Sequence, residues 1–372
     1  MRVAVLLPNW VGDTCMATPT LRAIAQLPSV EELVLVGKPG PLSVLEGLPF
    51  AQHQIAYKPR SRSPELLSRR GVAAELRRRH LDAIVLLPNS LSTGLIAWLS
   101  RIPRRIGYVK NGRGLLLTDA IAIRTTLERP NADGSLTSRT SINWSRQPAI
   151  DYYLHLAEQL GASSSDRRME LAVRETDRVE AERLLDRVGF DRTRKLILIN
   201  NASGSSPARL WPQEYAVQLA KRLAESGHQV LFHAGPADRQ VSLAYATAAN
   251  HSAVQSMGVA EQLPLGLSRG LIAAADLLVT TDSGPRHIGV ALNKRVLTMF
   301  GPTDTAPTRT YNVPEIALET QQSCRPCGKD ICPLQHHKCL RDLGPDTLVK
   351  AIATLLADSP LSLQPSTTTS AA

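Results

Sequence analysis

Aromatic residues are scarce in this chain of 372 residues, at 4% of the total. Single-stranded nucleic acid is held on stacked aromatic platforms, so no nucleic-acid partner is expected. No apolar run reaches about 18 residues, which argues against a membrane-crossing helix. The opening stretch Met1-Arg2-Val3-Ala4-Val5-Leu6-Leu7-Pro8 is too short in apolar residues for a signal peptide and lacks a small-residue cleavage site. It reads as a buried first strand, and a cytoplasmic protein is expected. The dinucleotide fingerprint G-x-G-x-x-G is absent, and so is any repeat of about 20–50 residues.

Hydrophobic residues make up 43% and charged residues 20%, enough to bury one or two sizeable cores. At about 150 residues per domain the length allows two or three domains. The charge is uneven. Of 43 basic and 33 acidic residues, positions 1–150 hold 20 and 10, so the whole net charge of +10 sits there. Its clusters are Lys58-Pro59-Arg60-Ser61-Arg62, Arg69-Arg70, Arg77-Arg78-Arg79 and Arg104-Arg105. A basic half points to an anionic membrane surface or an acidic substrate.

Apolar runs alternate with amphipathic stretches, the pattern of βαβ units around parallel sheets. Strands are expected at 3–7, 33–36, 83–87, 196–200, 229–234, 277–280 and 296–300. Helices are expected over 19–25, 91–99, 151–160, 213–226 and 346–356. Residues 125–148 are polar and aperiodic and read as a loop. Ser163-Ser164-Ser165-Asp166 marks a linker. The expectation is a first Rossmann-like domain over 1–165, a second over 166–357, and a disordered Ser/Thr-rich tail over 358–372. The two would face each other across a cleft that holds the active site.

Several segments can carry chemistry. Pro8-Asn9-Trp10-Val11-Gly12-Asp13 follows the first strand. Asp13 reads there as a helix N-cap or as a carboxylate available for general-base work. Thr281-Asp282-Ser283-Gly284-Pro285-Arg286-His287 is strand, small polar turn and helix. Its amides would form an anion site suited to a diphosphate, with Thr281 and Ser283 adding hydroxyls. Asp282 could accept from sugar hydroxyls, and His287 could face the same pocket. Asn200-Asn201-Ala202-Ser203-Gly204-Ser205-Ser206-Pro207-Ala208-Arg209-Leu210-Trp211-Pro212 is a second small-residue loop before a helix. Arg209 there can reach a phosphate in fork geometry. His233-Ala234-Gly235-Pro236-Ala237-Asp238 ends another strand. Cys324, Cys327, Cys332 and Cys339 have the spacing C-x2-C-x4-C-x6-C. They read either as a structural zinc site or as a loop of reduced thiols. Cys15 has no base beside it and reads as packing.

Together these segments resemble the ADP-heptose:lipopolysaccharide heptosyltransferases of glycosyltransferase family 9, over about residues 1–357. The resemblance rests on Thr281–His287 with Met299-Phe300-Gly301-Pro302-Thr303, and on Asn9-Trp10-Val11-Gly12-Asp13. It also rests on Arg105-Ile106-Gly107-Tyr108, Gly112-Arg113-Gly114-Leu115-Leu116-Leu117-Thr118 and Tyr152-Tyr153. The cysteine loop is most like the heptosyltransferase II branch.

The resemblance implies a GT-B α/β fold, with an acceptor-binding N-terminal domain and an ADP-sugar-binding C-terminal domain. It implies an inverting transfer with no metal or other cofactor, and ADP-heptose as substrate. Asp13 becomes the general base, with Asn9, Trp10 and Gly12 on the acceptor side. Arg209, Thr281, Asp282, Ser283, Gly284 and His287 bind the donor. The acceptor would be the acidic heptosyl-Kdo-lipid A core, met at the cytoplasmic face of an anionic inner membrane. Two departures stand out. Arg209 falls where the family usually has lysine in K-x-W-P, and Asn201-Ala202-Ser203 replaces a common Pro-Gly-Ala. They leave room for another nucleotide-sugar donor or surface-glycan acceptor, and a sugar-nucleotide binder without turnover is the reading outside enzymes.

Overall fold

The computed structural model describes residues 1–58, 67–122, 128–130, 136–138, 147–202, 206–357 and 367–371. They form two compact units. One is Met1–Arg167 with Ala306–Arg309, the other Arg168–Thr305 with Thr310–Ala372. The change of unit thus falls two residues past the Ser/Asp linker, and a short return segment belongs with the first unit.

The first unit runs β1 (Arg2–Leu6), α1 (Val11–Ala25), β2 (Glu32–Gly37), α2 (Pro39–Val44), β3 (His53–Ala56), α3 (Arg69–Arg78), β4 (Ala83–Leu86), α4 (Leu91–Leu99), β5 (Arg104–Tyr108) and β6 (Asp119–Ile121). The strands form one sheet in the order β3-β2-β1-β4-β5-β6, and every pairing is parallel. This is the Rossmann order, whose direction of growth reverses between β1 and β4. The loops leaving β1 and β4 therefore emerge side by side at the carboxyl edge. Next come two three-residue strands, β7 (Glu128–Pro130) and β8 (Leu136–Ser138), paired antiparallel within the stretch read as loop. The rest of that stretch up to 146 lies outside the described residues, as do Arg60 and Arg62 of the basic cluster. Helix α5 (Ala149–Glu158) closes the unit against α1.

The second unit repeats the scheme after α6 (Glu175–Arg187). It runs β9 (Leu196–Asn200), α7 (Gln213–Glu225), β10 (Gln229–Phe232), α8 (Arg239–Ala249), β11 (Val254–Ser256), α9 (Leu265–Ala274), β12 (Leu277–Thr281), α10 (Gly284–Ala291), β13 (Arg295–Phe300), β14 (Glu315–Thr320), α11 (Lys338–Arg341) and α12 (Pro345–Leu356). Its sheet order is β11-β10-β9-β12-β13-β14-β15, with β15 at Thr367–Ala371. Part of the tail expected to be disordered is thus an edge strand. Its β-branched threonines suit an extended backbone, and parallel pairing with β14 gives its amides and carbonyls partners. Residues 358–366 lie outside the described residues.

The central strands are buried on both faces. This is why β1, β4, β9 and β12 read as unbroken apolar runs. Trp211, fully buried, anchors the second core among Ile199, Leu219 and Leu340. Helices α6 and α9 cross unusually closely. A Cβ on Gly270 would lie 2.2 Å from the backbone oxygen of Asp177. Arg269, one residue earlier, donates from Nε to Asp177 Oδ2 at 2.8 Å, with both side chains 1% exposed. Glycine is the residue that lets the backbones approach far enough for this pair to close.

Gly270→Ala should therefore force the two helices apart and destabilise the second unit by about 1–3 kcal/mol. Gly235→Ala, where a Cβ meets nothing within 4 Å, should stay within about 0.5 kcal/mol. Urea unfolding of both variants reads the difference.

Candidate active site

In the second unit the chain leaves β12 at Thr281, turns through Asp282 and Ser283, and enters α10. Pro285 sits in the first turn of that helix and Ser283 is its N-cap residue. The Ser283 hydroxyl makes no capping bond. It is engaged by the Asn200 amide at 3.1 Å and by the Thr281 carbonyl at 3.1 Å. The first amides of α10 are thus left without a side-chain cap, at the positive end of a helix dipole. A Cβ on Gly284 would meet nothing within 4 Å, so the space beside the first residue of α10 is open. Among the described residues, two buried polar atoms border this turn without a hydrogen-bond partner, Thr281 Oγ1 and His287 Nδ1. The two side chains belong to residues only 2% and 5% exposed. Uncapped amides, open space and two orphaned polar atoms fit an anionic ligand.

Arg209 reaches the same turn. It sits at the end of a short 3-10 turn, Pro207–Arg209, and its Nη1 donates to the Asp282 carbonyl at 3.3 Å. Asn201 closes the loop that carries it, accepting from Trp211 N at 3.0 Å and donating to Trp211 O at 3.0 Å. Ser203, Gly204 and Ser205 of that loop lie outside the described residues.

Beneath the turn lies a chain of buried charge. Arg286 donates to Glu315 through Nε at 2.7 Å and Nη2 at 3.1 Å, and to Asp282 Oδ1 through Nη1 at 3.2 Å. Thr298 and Thr310 each donate to a Glu315 oxygen at 2.6 Å. Burial opposes ionisation of Glu315, but Arg286 and these hydroxyls outweigh it and hold its carboxyl below the usual range. Burial also opposes the Arg286 cation, yet Glu315 and Asp282 raise its pKa. His287 Nε2 lies 3.9 Å from Asp282 Oδ1. Burial, then the Arg286 charge, push His287 down to about 4. His287 is therefore neutral at pH 7, a hydrogen-bonding group and not a cation.

His233 is fully enclosed and burial lowers it to about 4. Its Nδ1 donates to Asn200 Oδ1 at 3.0 Å, and its Nε2 accepts from the Ser268 hydroxyl at 2.6 Å. It orients Asn200, which in turn holds Ser283. Asn200 and Glu315 were given no role in the sequence reading, and Arg286 was only one letter of a block. Their one signal was a polar residue at the end or start of an apolar strand.

In the first unit Asp13 is the third residue of α1 and is half-buried. Trp10 holds the N-cap position, which corrects the reading of Asp13 as the cap. Asp13 still faces the favourable end of the helix dipole, and its charge helps to raise the buried Tyr153 hydroxyl well above its usual pKa, after burial itself. Trp10 is 71% exposed, Asn9 is exposed and Gly12 is buried. Nearby, Tyr108 and Tyr152 stack at 4.2 Å. The buried Arg113 donates to Tyr108 O at 2.9 Å, Thr93 Oγ1 at 3.1 Å and Asn89 Oδ1 at 3.0 Å. A Cβ on Gly107 would lie 3.1 Å from Arg113 Nη2, so the glycine makes room for this brace of the loop after β4.

The four clustered cysteines carry free thiols and line one small cavity with His336, Ala208 and Pro302. Among the described residues, however, no three His, Cys, Asp or Glu side chains are arranged to hold a metal ion. The zinc reading and the reduced-thiol reading of Cys324, Cys327, Cys332 and Cys339 both place the four sulfurs together, as they are here. Amides of residues 334–337 donate to the Cys332 sulfur and lower its pKa. Cys339 packs on the second core, where burial pushes its thiol to about 11. The loop also supports the Arg209 turn, since Ala208 N donates to Asp330 O at 2.9 Å. Arg325 ties it down through Gly301 O at 2.6 Å and Thr320 O at 2.7 Å.

Two Rossmann-like sheets in one chain, one with an uncapped helix end at its switch point, fit the GT-B fold. The model of glycosyltransferase family 9 (heptosyltransferase) matches residues 69–338, and the chain belongs to that family. Lipopolysaccharide heptosyltransferase 2 of Salmonella typhimurium is 26% identical over 369 residues, 96% of this chain and 99% of its own. Two solved structures share the fold. E. coli ADP-heptose lps heptosyltransferase II has a TM-score of 0.73 at 22% identity, covering 96% of this chain and 98% of that one. The family 9 glycosyl transferase of Veillonella parvula has a TM-score of 0.77 at 23% identity, covering 96% and 97%. This protein is therefore a glycosyltransferase.

His233 and His287 should make the second unit acid-sensitive. Their folded pKa values lie below the unfolded value, so the unfolded chain binds more protons between about pH 4 and 6.5. Stability is complete above that window and falls on acidification through it, by up to about 1.4 kcal/mol per pH unit for each histidine. Unfolding midpoints from pH 7 to pH 4.5 should fall more steeply in the wild type than in His287→Asn.

Proposed function

We propose that this family 9 heptosyltransferase moves L-glycero-D-manno-heptose from ADP-heptose to the heptosyl-Kdo-lipid A core in lipopolysaccharide assembly, with inversion and without a metal ion. The observation that carries the reading is the open α10 terminus, with Thr281, His287 and Arg209 gathered at one turn. A diphosphate answers all of these groups. The names of the full-length relatives support lipopolysaccharide as the destination.

In this reading the Asp13 carboxylate takes the proton of the acceptor hydroxyl. The freed oxygen attacks the anomeric carbon from the face opposite ADP. The bond from that carbon to the diphosphate oxygen breaks, and ADP leaves with the bonding pair. The α10 amides and the Arg209 guanidinium meet the charge that grows on the leaving phosphate. Neutral His287 donates or accepts a hydrogen bond at the sugar or phosphate, and Asp282 accepts from sugar hydroxyls. The chemistry needs Asp13 of the first unit and the diphosphate turn of the second on one substrate pair. The enzyme would work in the cytoplasm in peripheral contact with the anionic inner membrane.

A second reading keeps the reaction but changes the donor or the acceptor glycan. Arg209 favours it, because a guanidinium fork and a lysine ammonium hold phosphate differently.

Transfer onto a monoheptosylated Kdo–lipid A acceptor, read by mass spectrometry with EDTA present, tests the proposal. The wild type should add one heptose. Asp13→Ala should lose about 10²–10⁴-fold in rate while binding ADP as before. Undiminished transfer by Asp13→Ala would overturn the base assignment. An inactive wild type that still binds ADP would shift the reading to another donor or acceptor.

A further inference from the structure

Ten large hydrophobic side chains are exposed among the described residues, and six of them share one small region of the first unit. Helix α4 presents Leu91 at 46%, Leu95 at 41%, Trp98 at 52% and Leu99 at 37% exposure. Their spacing of four, seven and eight residues puts them on one helix face, while Thr93, Gly94, Ile96 and Ala97 face inward. Leu115, 96% exposed, stands on the turn that packs against α4, where a Cβ on Gly94 would lie 3.2 Å from Leu116. Val109, 45% exposed, lies beside that turn at Gly114. Apolar side chains this concentrated mark an interaction surface and not ordinary surface scatter.

The charges around it are mainly positive, with Glu75 on α3 taken up by Arg78 and Arg79. Between residues 83 and 118 there is no Asp or Glu, and Arg101 and Lys110 are exposed there. Helix α3 packs against α4 and adds exposed Arg69, Arg70, Arg77 and Arg78. Arg77 donates to the Leu99 carbonyl, so the basic helix directly borders the apolar one. A second copy of the chain would bring these cations against one another. Leucines and a tryptophan rimmed by arginine and lysine instead suit the boundary between acyl chains and anionic headgroups, where the indole has one apolar and one polar side.

We propose that the exposed face of α4, with Val109 and Leu115, is an interfacial docking surface for an anionic phospholipid bilayer. It deepens the proposed function, resting on it only for its purpose. Strands β1 and β4 are parallel neighbours, so α4 begins at the same sheet edge as the loop leading to Asp13. An enzyme seated by this face would hold that edge near the membrane, where a lipid-linked acceptor presents its sugars. The arginines supply attraction and the α4 face supplies insertion, and neither alone is the surface.

Co-sedimentation of the full chain with vesicles tests this. Vesicles with about one-third phosphatidylglycerol should bind, and pure phosphatidylcholine should bind at least tenfold more weakly. Raising NaCl from 50 to 500 mM should weaken binding at least tenfold. The double variant Leu95→Glu/Trp98→Glu, altered only at exposed positions, should lose at least tenfold in vesicle affinity. It should keep its rate within twofold on a delipidated, water-soluble acceptor. Vesicle affinity unchanged in the double variant, or equal for the two lipids, overturns the proposal. A dimer that the double variant dissolves, with no vesicle binding, reassigns the face to a second copy. Vesicle binding without heptose transfer would leave the surface standing while the proposed function fails.

Discussion

Arg286 places a full positive charge inside the second unit, and the geometry of the candidate donor site follows from how that charge is met. Glu315 takes two of its donors and Asp282 a third. Removing one partner would leave an uncompensated buried charge, a far larger penalty than any surface pair carries. The turn after β12 is therefore pinned from below by Asp282. It is pinned from the side by Asn200, which holds Ser283 and is itself held by His233. Ser283 is then unable to cap α10, and the helix end stays open. The helix end is open because Ser283 and Asp282 are engaged elsewhere.

The two units divide the electrostatic work differently. In the second, buried charges are compensated in pairs and the buried His233 and His287 are neutral, so the positive character at the α10 turn comes from amide dipoles and Arg209. Such fixed groups need no reorientation when charge grows on a leaving phosphate. The first unit carries the excess of cations, much of it on α3 and in the stretch around α4. Arg113 is the exception, a buried cation that burial lowers only to about 10 and that braces the loops after β4 and β5. One half of the chain uses arginine as internal scaffolding, the other presents it to solvent as well.

The alternation of strand and helix was legible because the central strands are buried on both faces and read as apolar runs. Strands β3, β6 and β11 are three or four residues long and carry few apolar residues, while β5 and β14 are longer but interrupted by charge, at Arg104-Arg105 and at Glu315 and Glu319, so none of the five reads as an apolar run. The loop at Asp282–Gly284 was legible from turn chemistry, since Pro285 starts a helix and small residues precede it. Asn200 and Glu315 were not, because their partners are remote. Asn200 meets Ser283 across 83 residues, and Glu315 meets Arg286 across 29. The cysteine spacing was legible as a cluster, yet spacing says only that four thiols can share a cavity wall. Whether they converge depends on where the backbone turns each one. Here the amides of residues 334–337 claim the Cys332 sulfur, while the core claims Cys339.

The sequence by itself determined the layers, the two-unit plan and the points where strands hand over to helices. Those follow from hydrophobic period and from backbone preferences that act within about one turn. Tertiary structure alone decided that Arg209 touches the Asp282 carbonyl and that the α10 amides are left open. Each of these is a meeting of side chains or loops from separate parts of the chain or a consequence of one. Strand order, not local sequence, sets which loops share an edge of the sheet.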